Sequence, residues 1–200
     1  MRPWVVRPAF ALLLALVPAL GVYAHPHVFI TSHVAVDFEG SSLSRISLNW
    51  TFDELFSQMI TADYDKGKKG SFTEAEAAAL KKGAFDNLRN YHYFLALFVD
   101  GRPIVLPPIR SFVPSISDGR LVYSFSLPLS LPIAAAAREL RITIYDDTYY
   151  VAFDKTNPAD VEIRSDGAIE TEVAIEKTKV KAEWPGQFMP DQIVLRMKRK

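Results

Sequence analysis

The sequence predicts a mainly β, α+β fold: an antiparallel, sandwich-like β domain with a helix-loop-helix inserted after the second strand. Three observations carry this. Short runs rich in aromatic and β-branched residues recur along most of the chain, which is the spacing of strands joined by tight turns. Asp100-Gly101 and Asp118-Gly119 each separate two such runs, and Asp-Gly is a strong hairpin signal. Between the second and third runs the period changes from two to that of a helix.

From Val28 to Phe38 the apolar residues Val28, Ile30, Val34, Val36 and Phe38 fall on one side and His27, Thr31, His33 and Asp37 on the other, which predicts a half-buried strand with the histidines on its outward face. The polar turn Glu39-Gly40-Ser41-Ser42 leads into a second strand over Arg45 to Thr51, forming a hairpin. Phe52, Leu55, Phe56, Met59 and Ile60 then fall at helical spacing, with Asp53 and Glu54 favourably placed in the first turn. Thr73 followed by Glu76 is a capping-box pattern that opens a second helix, predicted to run to about Asn90. The helical insertion thus covers about residues 52–90. Strands follow at Phe94 to Val99, Arg110 to Ile116, Leu121 to Leu127, Arg141 to Tyr145 and Tyr149 to Phe153, and then at Val161 to Arg164, Glu172 to Ile175 and Gln192 to Met197.

The first 24 residues read as a secretory signal: Arg2 and Arg7, an apolar run from Ala9 to Leu20, then Val22 and Ala24 at the small-residue positions before cleavage. That run is shorter than the roughly 20 residues a membrane span needs, and no later run is long and uncharged enough. The expectation is an exported, periplasmic protein, with residues 25–200 forming one domain. The chain has no cysteine, which excludes disulfides and thiolate chemistry. Formal charge is balanced over the whole chain, and losing Arg2 and Arg7 leaves the remainder slightly acidic, so nucleic acid is not an expected partner. The basic end Arg196, Lys198, Arg199, Lys200 reads as a solvated terminus before an anionic-surface contact.

Cleavage after Ala24 makes His25 the amino terminus and places two histidines around one proline. His25 supplies an amine and an imidazole and His27 a second imidazole, giving three nitrogen donors within three residues. Pro26 has no amide proton to lose, which blocks the square-planar backbone mode used by other amino-terminal histidine motifs. On an extended segment the two imidazoles are about 6–7 Å apart, within reach of one ion. Further ligands would come from His92, Asp53, Glu54, Asp146 or Asp147. Asp146-Asp147 also reads, more simply, as a turn between strands. His33 and His92 each also read as ordinary surface or packing residues.

The loop after the first helix has the outline of an EF-hand: Asp65 first, Gly67 third, Lys69 fifth, Gly70 at the turn and Glu76 twelfth. Two oxygen ligands are missing and Lys69 brings positive charge to the ion position, so calcium is not expected. No phosphate-binding glycine loop, nucleophile elbow or HExxH pair is present, and an enzyme is not expected.

His25 to Ile30, Trp50 to Glu54, Asn87 to Phe94 and Tyr149 to Phe153, in that order, resemble a bacterial periplasmic family of unknown function. It is labelled the periplasmic, substrate-binding component of an uncharacterised ABC-type transport system. The resemblance implies an accessory protein beside nickel/cobalt-type and zinc transporters of the inner membrane, handling a divalent transition ion, with zinc or nickel favoured. Only the His25 and His27 motif carries over, because Gly67 and Lys69 depart from the family's acidic loop. Two other readings stand beside this one: a metal-independent module that docks to a membrane transporter, and a copper oxidase with a histidine brace completed by His92 or His33.

Overall fold

A computed structural model of the chain describes residues 27–178 and 189–200. The signal reading, His25 and Pro26 lie outside the described residues. The first sheet is built on the predicted hairpin. Strand β1 (Val28–Glu39) pairs antiparallel with β2 (Ser42–Phe52), from Ile30 opposite Phe52 to Glu39 opposite Ser42. Gly40 supplies the positive φ of 54° at the turn. β6 (Arg120–Pro132) flanks β2 and β5 (Arg110–Ser117) flanks β6, both antiparallel. The other edge of β1 takes two short strands, β8 (Val151–Phe153) and β9 (Val161–Arg164).

These two run parallel to β1, which departs from the all-antiparallel expectation. The cause is topological. Before reaching β1 again, the chain passes through the second sheet, and a return by crossover rather than hairpin permits parallel pairing. That second sheet has the order β10 (Ile169–Lys177), β11 (Asp191–Arg199), β7 (Arg138–Ile144), β3 (Leu95–Val99) and β4 (Arg102–Pro103), all antiparallel. The two Asp-Gly pairs occupy the β3–β4 and β5–β6 turns, each with both residues at positive φ, the geometry that two-residue hairpins require. The basic end is part of β11: Arg196 pairs with Glu139 at 3.5 Å and Lys198 with Glu170 at 3.1 Å.

One buried cluster joins side chains of both sheets with those of the helices. Its centre is aromatic. Trp50 meets Phe125 edge-on at 4.8 Å and Phe153 at 5.4 Å, while Phe85 stacks on Phe112 at 4.0 Å. Such contacts add about 0.5–1.5 kcal/mol each beyond burial.

The helical insertion consists of α1 (Glu54–Tyr64) and α2 (Glu74–Gly83). Ser57, fully buried, fastens α1 to the first sheet: its Oγ donates to the Asp53 carbonyl at 2.6 Å and accepts the Leu121 N–H at 2.9 Å. The Thr73–Glu76 capping box forms as predicted. The second helix does not reach Asn90. It ends at Gly83, a residue that disfavours helix, and a tighter 3₁₀ segment over Phe85–Phe94 takes its place. His92, Tyr93 and Phe94 close that segment with three successive positive φ values of 51°, 51° and 54°. The turn buries Phe85, Tyr93 and Phe94, which a continued helix would have spread around its circumference.

Candidate functional site

His27 immediately precedes β1 and is exposed. Its backbone is fixed: its N–H donates to the Tyr150 carbonyl at 2.9 Å, and the two rings lie 4.9 Å apart. The beginning of β1 is therefore held by the turn before β8. β1 continues without a fold-back to Glu39, so His33 lies roughly 20 Å further along the strand. Its Nδ1 is 3.4 Å from Asp160, a local ion pair when the imidazole is protonated.

The carboxylates named from sequence have structural employment. Asp53 is the N-cap of α1: one oxygen accepts the Phe56 N–H at 2.9 Å, the other the Phe29 N–H at 2.8 Å. It ties α1 to β1 two residues from His27. Asp53→Ala is expected to lose about 2 kcal/mol, a cap contribution plus one strand N–H, and Asp53→Asn roughly half of that. Urea unfolding of the two variants checks the order. Glu54 is exposed and accepts the Gln58 side-chain amide at 3.0 Å.

Asp146 is 3% exposed and organises the turn. One oxygen accepts the Thr148 N–H at 3.0 Å and the Thr148 hydroxyl at 2.8 Å; the other accepts the Val151 N–H at 2.9 Å. This is the turn reading of the Asp146-Asp147 pair. Tyr149 belongs to that turn at φ 58° rather than to the strand, so the predicted inward alternation begins at Val151.

Asp147 and His92 do come together. Both line a small hollow of about 200 Å³ with Tyr145, whose phenol is pushed up by burial and by the Asp147 charge. Among the described residues, however, no three His, Asp or Glu side chains are grouped to hold a metal ion.

The EF-hand-like loop is closed by its own groups. The Asp65 oxygens accept the N–H groups of Lys69 at 3.1 Å and Gly70 at 2.8 Å. Glu76 accepts the Lys66 N–H, and the Lys69 ammonium lies 3.8 Å from its other oxygen. Donation from the Thr73 N–H and hydroxyl holds the Glu76 carboxyl below its usual range, with Lys69 adding to it. Its contribution to stability is therefore present at neutral pH and is lost on acidification.

Sequence reasoning missed a larger feature. A cavity of about 460 Å³ is bounded by β1, β2, the 85–94 segment and the Asp146–Val151 turn, with Trp50, Phe52, Phe94, Tyr123 and Tyr150 among its walls. Tyr150, which anchors His27, stands at its edge and is 49% exposed. Alternating aromatics signal a buried face, but periodicity does not separate a filled core from a cavity wall.

Residues 10–184 match a family described as protein of unknown function (DUF1007). An uncharacterized 15.5 kDa protein in the trpE 3'region of Spirochaeta aurantia is 34% identical over 130 residues, covering 64% of this chain and 91% of that protein. An uncharacterized protein of Haemophilus influenzae is 29% identical over 155 residues, 76% of this chain and 73% of that one.

Proposed function

The chain belongs to the DUF1007 family of proteins of unknown function, and from that premise we propose that it is a periplasmic, non-catalytic accessory protein of a transition-metal transport system. Its cargo is zinc or nickel, bound through the His25-Pro26-His27 motif and passed to or from an inner-membrane transporter. The observation that carries this reading is the anchorage of His27. Its N–H is fixed to the Tyr150 carbonyl and its residue remains exposed, so an imidazole stands at the head of a rigid strand.

With no group of three such ligands among the described residues, coordination rests on the two imidazoles and the amine of His25. Water or a transporter side chain completes the shell. An unfinished shell suits transfer, because an incoming ligand exchanges without first displacing a protein donor. Affinity falls as acid is added, since protons compete for the imidazole nitrogens.

Titration calorimetry with zinc and with nickel tests the proposal on protein beginning at His25. The expected result is one site per chain, weakened at least a hundredfold in the His25→Ala, His27→Ala double variant. Equal affinity in the two proteins removes the site.

A second reading, docking to a transporter without a metal, has its own support. Leu55 and Met59, one helical turn apart on α1, are 76% and 53% exposed, and Phe29 beside the α1 cap is 49% exposed. The double variant separates the readings, because docking through α1 would survive it.

A further inference from the structure

The 460 Å³ cavity has no part in ion binding through His25 and His27, and its walls have their own chemistry. Its volume is in the range of sites that take one small organic molecule, roughly 300–1,000 Å³. The lining is largely aromatic and aliphatic, with Phe52, Phe56, Leu88 and Phe94 prominent. No Lys, Arg or His is among the described lining residues. The one carboxylate there, Asp146, already accepts three hydrogen bonds from its own turn. An anionic ligand would find no counter-ion, and a cationic one only a carboxylate already committed.

Two of the lining residues carry polar atoms that lack partners. Trp50 Nε1 and the Tyr123 hydroxyl are buried and make no hydrogen bond, on side chains 0% and 2% exposed. An unmatched buried donor costs about 1–3 kcal/mol, and proteins rarely leave two beside one cavity. Indole N–H is a donor only. Burial pushes the Tyr123 phenol up, so it too keeps its proton. Both atoms therefore call for an acceptor.

We propose that this cavity binds a small, uncharged, flat organic molecule with a carbonyl-type acceptor, its body against the aromatic wall and its acceptor on Trp50 Nε1 or the Tyr123 hydroxyl. Neither atom is open to solvent, so the ligand reaches them only if a side chain of the wall moves. The binding is independent of the histidine motif.

The probe is 6-propionyl-2-(dimethylamino)naphthalene, an uncharged ketone that fluoresces in apolar surroundings. In protein beginning at His25 and carrying Trp184→Phe, Trp50 is the only tryptophan. The expected result is saturable one-to-one binding with energy transfer from Trp50 and a blue-shifted dye emission. Ala84→Phe, which fills the cavity from its lining, should weaken binding at least tenfold, and Trp50→Phe about fivefold, both read by dye emission. 2-Naphthoate, of similar shape but charged, should compete at least tenfold less well than its methyl ester. Binding should be unchanged in the His25→Ala, His27→Ala protein, so the two proposals fail separately. If Ala84→Phe does not fold, Leu88→Trp on the same wall replaces it. Absence of saturable binding, equal binding by the filled variant, or equal competition by the anion overturns the inference.

Discussion

Trp50→Ala is expected to lower folding stability by about 3–5 kcal/mol, the range for truncating a large buried aromatic. For a domain of this size that corresponds to a fall in melting temperature of roughly 6–20 °C. Trp50 is fully buried at the middle of the first sheet, opposite Tyr123 of β6. Its ring meets Phe125 of β6, Phe153 of β8 and Phe94 of the 3₁₀ segment, with centroids 4.8, 5.4 and 6.1 Å away. One side chain therefore holds the sheet's centre, its parallel edge and the end of the helical insertion in a single arrangement.

The cost falls at the upper end of that range because the site cannot collapse. Removing the indole joins its volume to the existing 460 Å³ cavity, and the neighbouring rings, set on three separate elements, cannot close the gap together. Trp50→Phe behaves differently. It keeps a ring in the layer and deletes the unpartnered Nε1–H, so its loss is expected to stay below about 2 kcal/mol. Thermal unfolding of both variants decides. If Trp50→Ala melts within about 3 °C of the parent, the aromatic layer is not what unites these elements.

The contrast between Trp50 and His92 shows which parts of the structure were legible in the sequence. Trp50 lies in a strand whose apolar residues Ile46, Leu48, Trp50 and Phe52 alternate with polar ones, and the strand, its pairing and its burial all follow from local pattern. The Asp-Gly turns and the Thr73–Glu76 capping box were equally readable, since each is a backbone requirement met by adjacent residues. His92 is the opposite case. Its positive φ, and that of the next two residues, is imposed by burying Phe85, Tyr93 and Phe94 together, a tertiary demand that overrides helix preference beyond Gly83. The parallel pairing of β8 and β9 with β1 was hidden for the same reason, because it depends on the chain's route through a second sheet. At the site, the sequence offered Asp53 and Asp146 as possible metal ligands, and also as a first-turn and a turn residue. It did not reveal that their oxygens serve backbone N–H groups, one of them 24 residues away. Donor type is visible in a sequence; whether a donor or acceptor is already occupied is a property of the fold.

Asp146→Ala is the second large effect, with an expected loss of about 3 kcal/mol. Three hydrogen bonds end on this buried carboxylate, and its removal leaves the buried Val151 N–H without a partner, at about 1–3 kcal/mol, besides loosening Thr148. Asp146→Asn keeps one acceptor oxygen and turns an amide donor toward one of the N–H groups, so about half the loss is expected. The effect should spread in a defined direction. Val151 pairs with Val28, and the Tyr150 carbonyl receives the N–H groups of both His27 and Val28, at 2.9 and 3.3 Å. If the Asp146 turn is what holds Tyr150 in place, amide hydrogen exchange at His27 and Val28 should accelerate at least tenfold in Asp146→Ala, while the amides of β7 and β11 in the other sheet change only with global stability. Uniform acceleration across both sheets would mean that the turn contributes to stability as a whole without positioning the head of β1, and the anchorage assigned to His27 would then have another source.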